Sequence, residues 1–172
     1  TDNNYNKKIA KKCGVEVPFI RPKYLSEPYV SITATLKYTL TMLEKKNIIP
    51  DIVVVATENF PFREKNIFEK SIKKLINDND DVVVYTKQEK GTIFKNKSNK
   101  FEVLVNGTIP KNILNEKISV CRIGYGCAVR PDIIRSGNLF NGKIGTITIK
   151  NNNYFTEINL ANFDDLNNKF YN

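Results

Sequence analysis

Apolar positions along the chain recur with two different periods, and the switching between them predicts the order of elements. Over residues 3–13, Tyr5, Ile9 and Cys13 recur at helical spacing, and Gly14 supplies a helix stop. A short apolar segment, Val15 to Ile20, runs into the rigid turn Arg21-Pro22. Residues 29–46 place Leu36, Leu40 and Leu43 on one stripe, predicting a second helix. Ile52–Ala56 (IVVVA) and Val82–Tyr85 (VVVY) are unbroken apolar runs, which suits strands covered on both faces. Between them, residues 64–77 predict a third helix with Phe68, Ile72, Leu75 and Ile76 facing inward. Strand, helix and strand joined by short connections predict an α/β domain, its sheet mostly parallel and flanked by helices.

Residues 87–117 break this pattern: they are polar and charged, with weak alternation at Phe101, Val103 and Val105. They predict a long excursion over the sheet, and long loops often carry function. "ISVCRIGYGCAV" returns to strand, and "PDIIRSG" is a short helix opened by Pro131 and closed by Gly137. "GKIGTITIK" and "YFTEIN" predict strands or a hairpin, and residues 162–170 a closing helix on Phe163, Leu166 and Phe170. No internal repeat is present, and 172 residues suit a single domain, 1–172.

Composition narrows the chemistry. The chain has three cysteines without CxxC spacing and no histidine, which sets aside zinc ligation and a Cys-His or Ser-His nucleophile. The odd thiol count and the lack of an apolar run of about 18 residues or a basic-apolar leader lead to the expectation of a cytoplasmic protein without a membrane span. The formal net charge is +9, but the lysines are dispersed along the chain. A solvated surface explains them better than a nucleic-acid site, which needs cations on one face.

Several segments, in order, resemble one family. "TD…IAKKCGVEVPFIRPKYLSE", a helix, "PDIVVVATENFPFRE", a helix, "DDVVVYT" and a terminal "EIN…DDL" are similar to the sugar-acid cytidylyltransferases, among them the CMP-sialic acid synthetases. The most specific pieces are "GVEVPFIRP" and a strand followed by "PFR". The resemblance implies a Rossmann-like nucleotide-diphospho-sugar transferase fold, transfer of CMP from CTP to a sialic-acid-like sugar acid with release of pyrophosphate, and Mg2+. It implies a homodimer as well, with 87–117 as the dimerisation excursion. In the family the "TD" follows a basic, glycine-containing nucleotide loop. The resemblance therefore leads to the expectation of a fold incomplete at the N-terminus, missing at least one βαβ-like unit of roughly 30 or more residues. Such a fragment is expected to be inactive alone. The alternative, of another class, is a non-catalytic assembly domain on the same fold.

Candidate site residues follow from position and resemblance together. Arg63, after Pro61-Phe62 at the end of an apolar strand and opening the next helix, stands where open α/β sheets bind anions. The resemblance makes it nucleotide-binding; pairing with Glu64 or Glu58 is the plainer explanation. Arg21 matches the family's "RP", and Ser31 falls near a family serine that approaches nucleotide. A structural loop cation and a helix N-terminal hydroxyl account for these two equally well. Glu157 and Asn159 fall on the family's Asp-Ile-Asp metal pair. Alternate strand positions share a face and can share one Mg2+, but the neutral Asn159 removes one ligand charge. Strand residues beside a polar loop are the bland alternative. Glu58, in the turn 57–61, would repel a triphosphate unless a cation intervenes.

Overall fold

Strand β2 (Val82–Gln88) organises the sheet of this computed structural model, which describes residues 1–89, 91–98, 100–105, 118–150 and 156–158. On one edge β2 pairs antiparallel with β5 (Ser119–Cys121) through Thr86–Gln88, and with β6 (Cys127–Val129) through Val82 and Val83. On the other edge it pairs parallel with β7 (Ile144–Thr148). Strand β1 (Val53–Val55) pairs antiparallel with the far side of β6, with Val55 opposite Cys127.

The fold is therefore mixed α/β, and its sheet pairing is mainly antiparallel rather than mostly parallel. β1 and β2 point the same way, as strand–helix–strand alternation requires, but they are not neighbours. The later strand β6 lies between them, antiparallel to both. A local reading of residues 52–85 has no access to that insertion.

Unbroken valine runs arise because both sheet faces are covered. Val82, Val84, Cys127, Val129 and Val55 face a cluster with Leu40 of α2 (Ile32–Glu44) and Ile133 and Ile134 of α4 (Pro131–Ser136). Val83 and Ala128 face the opposite way, against Leu75 of α3 (Ile67–Asn77). Each side chain alternates in direction, and neither direction is water.

The α3 stripe differs from the expected one. Ile67, Ser71 and Leu75 are buried, while Phe68 and Ile76 are exposed. Ser71 tolerates burial because its hydroxyl donates to the Phe68 carbonyl at 2.9 Å. The helix also starts later than residue 64, after Asn66 adopts a left-handed turn (φ 62°). The first helix, α1 (Asn4–Lys12), forms where expected, but none of its residues is buried.

β3 (Ile93–Lys97) and β4 (Lys100–Val105) pair antiparallel as a separate two-stranded unit, within the anticipated excursion. Residues 106–117 and the closing helix expected at 162–170 lie outside the described residues. Among the described residues, no helix is long and apolar enough to cross a membrane.

Candidate nucleotide-binding pocket

The run "SVCRIGYGCAV" is one strand only in part. β5 stops at Cys121, a 3-10 turn covers Ile123–Tyr125, and β6 resumes at Cys127. Because β6 runs antiparallel to β1, this turn lies against the loop that leaves the carboxyl end of β1. Thr57 N–H donates to the Gly124 carbonyl at 2.8 Å, joining the two. The approach needs a glycine: a Cβ at Gly124 would lie 2.2 Å from Thr57 Oγ1.

An aromatic base supports the junction. Tyr125 is fully buried, edge-on to Phe60 at 5.9 Å and to Tyr85 at 5.2 Å between ring centroids. Its hydroxyl accepts from Glu64 N–H at 3.2 Å, and the Tyr85 hydroxyl donates to the Ile67 carbonyl at 2.7 Å. Burial raises the Tyr85 pKa well above its ordinary value, with the neighbouring Tyr125 and Glu64 adding to the effect.

Above this base is a pocket of about 280 Å³, lined by Ile32, Thr57, Glu58, Asn59, Phe60, Arg122, Ile123, Gly124 and Glu157. Arg122 Nη1 lies 3.2 Å from Glu157 Oε2, and Asn59 Nδ2 donates to Glu157 Oε1 at 3.5 Å. Ile158 N–H donates to the Asn59 carbonyl at 2.8 Å and ties residues 156–158 to the same loop. The pocket thus presents one guanidinium among two carboxylates at the carboxyl end of β1, and the carboxyl ends of strands are a common place for ligands in α/β sheets.

Of the residues singled out from sequence, Glu157 is in this pocket. Ser31 is beside it: it is the N-cap of α2, its Oγ accepting from Ala34 N–H at 3.2 Å, and the next residue, Ile32, is in the lining. Arg21 is not in the lining; its Nε and Nη2 donate to Ser26 Oγ at 3.2 and 3.0 Å. Arg63 does not open a helix. Its guanidinium turns onto main chain, donating to the carbonyls of Tyr125 (3.0 Å), Gly124 (3.0 Å) and Thr57. Burial pulls the Arg63 pKa down from its ordinary value, partly opposed by Tyr125. Asn159 lies outside the described residues.

Arg122 and Asn59 were not anticipated as site residues. Arg122 sits inside an apolar run that reads as strand, and only the glycines after it hint at the break.

Of the pair that the resemblance assigns to a divalent cation, Glu157 alone lies among the described residues. Both Glu157 oxygens are engaged, by Arg122 and by Asn59. Among the described residues, no group of three or more acidic, histidine or cysteine side chains could hold a metal. A Mg2+ ion tolerates few protein ligands only when substrate phosphates supply the others.

Over 68 residues the chain is 35% identical to the pseudaminic acid cytidylyltransferase of Campylobacter jejuni strain 81-176, covering 40% of this chain and 29% of that protein. The chain is similar there to the sugar-acid cytidylyltransferases. The same enzyme of strain NCTC 11168 matches at 34% identity over 68 residues, with the same coverage. The match spans 29% of the length of each of these cytidylyltransferases. No family model matches the chain.

Proposed function

We propose that the chain carries the nucleotide pocket of a CMP-transfer reaction, in which CTP gives CMP to a sugar acid and pyrophosphate leaves. The observation that carries this reading is the pocket at the carboxyl end of β1, with Arg122 held against Glu157. Similarity to pseudaminic acid cytidylyltransferases supports this substrate class, and pseudaminic acid is the first acceptor to test. β1, β2 and β7 all run in one direction, which supports a nucleotide-diphospho-sugar transferase arrangement with an inserted antiparallel strand.

The roles follow from charge and position. Arg122 exchanges Glu157 for a substrate anion, since a half-exposed ion pair is worth little and is readily given up. Glu58 and Glu157 oppose a free polyphosphate, so Arg122 decides whether an anion can enter. Chemistry of this kind rests on positioning and charge stabilisation. The test is pyrophosphate release from CTP on addition of pseudaminic acid. Release supports transfer, CTP binding without release supports a nucleotide-binding domain that does not turn over alone, and the absence of both overturns the reading.

A second reading, assembly, has its own observation. The β3–β4 pair exposes Phe94, Phe101 and Val103, with the two phenyl rings in contact at 6.2 Å. We propose that this face meets a second copy of the chain. A monomer by light scattering at high micromolar concentration would reject it.

A further inference from the structure

The Arg63 side chain makes three hydrogen bonds beside the pocket, yet it is not among the residues that line it. Its three carbonyl acceptors belong to two different segments: Thr57 in the loop after β1, and Gly124 and Tyr125 in the 3-10 turn. Thr57 and Gly124 do line the pocket. A guanidinium presents five donors in a rigid fork, so it can bind several carbonyls at once where a lysine cannot hold the same set. The ring of Phe68 closes the other side, 5.9 Å from the guanidinium carbon.

Two consequences follow for an anion in the pocket. Three carbonyl oxygens, each a partial negative charge, are neutralised from behind the wall instead of repelling the ligand. The Thr57–Gly124 approach is also held in place, and with it the adjoining pocket residues Glu58, Asn59 and Arg122.

We infer that Arg63 is a positioning residue that clamps the β1–α3 loop to the 3-10 turn and thereby sets the pocket wall, without touching the ligand. The role in binding rests on the reading of this pocket as the cytidine-nucleotide site; the clamp itself does not.

Two readouts, hydrogen exchange and calorimetric binding of CMP and CTP, test the clamp and the binding role separately on the parent chain, Arg63→Ala and Arg63→Lys. With the clamp removed, amide exchange within residues 57–60 and 123–126 should rise about tenfold or more, while the β2–β7 pairing keeps its protection. Affinity for CMP and for CTP should fall by the same factor, about tenfold, because a displaced wall does not count phosphates. Arg63→Lys keeps the charge but loses the fork, so it should resemble Arg63→Ala. It also serves as the test should Arg63→Ala fail to fold.

Unchanged exchange in the variants overturns the clamp. A loss that deepens from CMP to CTP, or full rescue by lysine, makes Arg63 a phosphate ligand and overturns the positioning role. If the parent binds neither nucleotide, the pocket reading fails, and the exchange comparison still decides the clamp.

Discussion

Replacing Gly124 with alanine tests the junction that forms the pocket wall. The added methyl would lie 2.2 Å from Thr57 Oγ1, 2.9 Å from Cγ2 and 3.0 Å from Cβ. Carbon atoms in ordinary contact stand about 3.5–4.0 Å apart. Rotation of the Thr57 side chain can move Oγ1 and Cγ2, but Cβ stays with a main chain fixed by the 2.8 Å bond to Gly124 and by Arg63. The segments must therefore part. Overpacking of this kind costs about 1–3 kcal/mol, and stretching the shared hydrogen bonds adds roughly 1 kcal/mol. A total of about 2–4 kcal/mol corresponds to a Tm fall of roughly 5–15 °C for a chain of this size. Urea and thermal unfolding measure it, and Thr57→Gly in the same chain should return at least half of the loss. Thr57→Ser should return little, because its Oγ and Cβ remain. A Gly124→Ala variant within about 0.5 kcal/mol of the parent would refute the close-approach reasoning.

Three further outcomes are expected. Asp80 is buried, its Oδ1 is 3.3 Å from Lys143 Nζ, and its Oδ2 has no hydrogen bond among the described residues. Lys143→Met removes that cation and should cost roughly 1–3 kcal/mol in urea unfolding; an unchanged midpoint would contradict the pairing. Burial, with a smaller push from Cys121, raises the Cys127 thiol to about 12. Both thiol states matter only above the unfolded pKa of about 8.5, so its contribution is complete below that pH and is lost as pH rises toward 12. Stability should fall over that window, less steeply in Cys127→Ala, and equal slopes would reject the assignment. Because Glu157 is engaged by Arg122, CMP affinity in Mg2+ and in chelator should agree within about twofold; a larger gap in calorimetry would show a metal contribution.

What was legible in the sequence depended on how local its cause was. The two valine runs announced strands covered on both faces, and Val82 to Tyr85 do alternate in direction, Val82 and Val84 into one buried cluster and Val83 and Tyr85 into two others. The ends of α4, Pro131 at its first position and Gly137 at its C-cap, were readable because each acts on its own turn. Sheet order was not readable, since β6 reaches its place between β1 and β2 from more than forty positions away. The α3 stripe was displaced because Ser71 is polar by type but satisfied within its own helix. At the site, Glu157 is reached through its resemblance to a metal position, and the structure places it beside the Arg122 guanidinium, a neighbour that the sequence does not announce. Arg63 was expected at a helix start, but the left-handed Asn66 delays α3 and leaves the guanidinium to the carbonyls. Arg122 was missed because a cation inside an apolar run reads as a strand edge until the 3-10 turn is seen.

Calorimetric titration of CMP into the parent chain and into Arg122→Ala puts the pocket itself to the test. Arg122 is half exposed and paired with Glu157 at 3.2 Å, so its removal should shift Tm by less than about 3 °C. The expected result is saturable one-site binding by the parent and at least about tenfold weaker binding by the variant at nearly unchanged stability. Equal affinity in both chains, or no binding by a folded parent at millimolar CMP, would contradict a cytidine-nucleotide site built around Arg122.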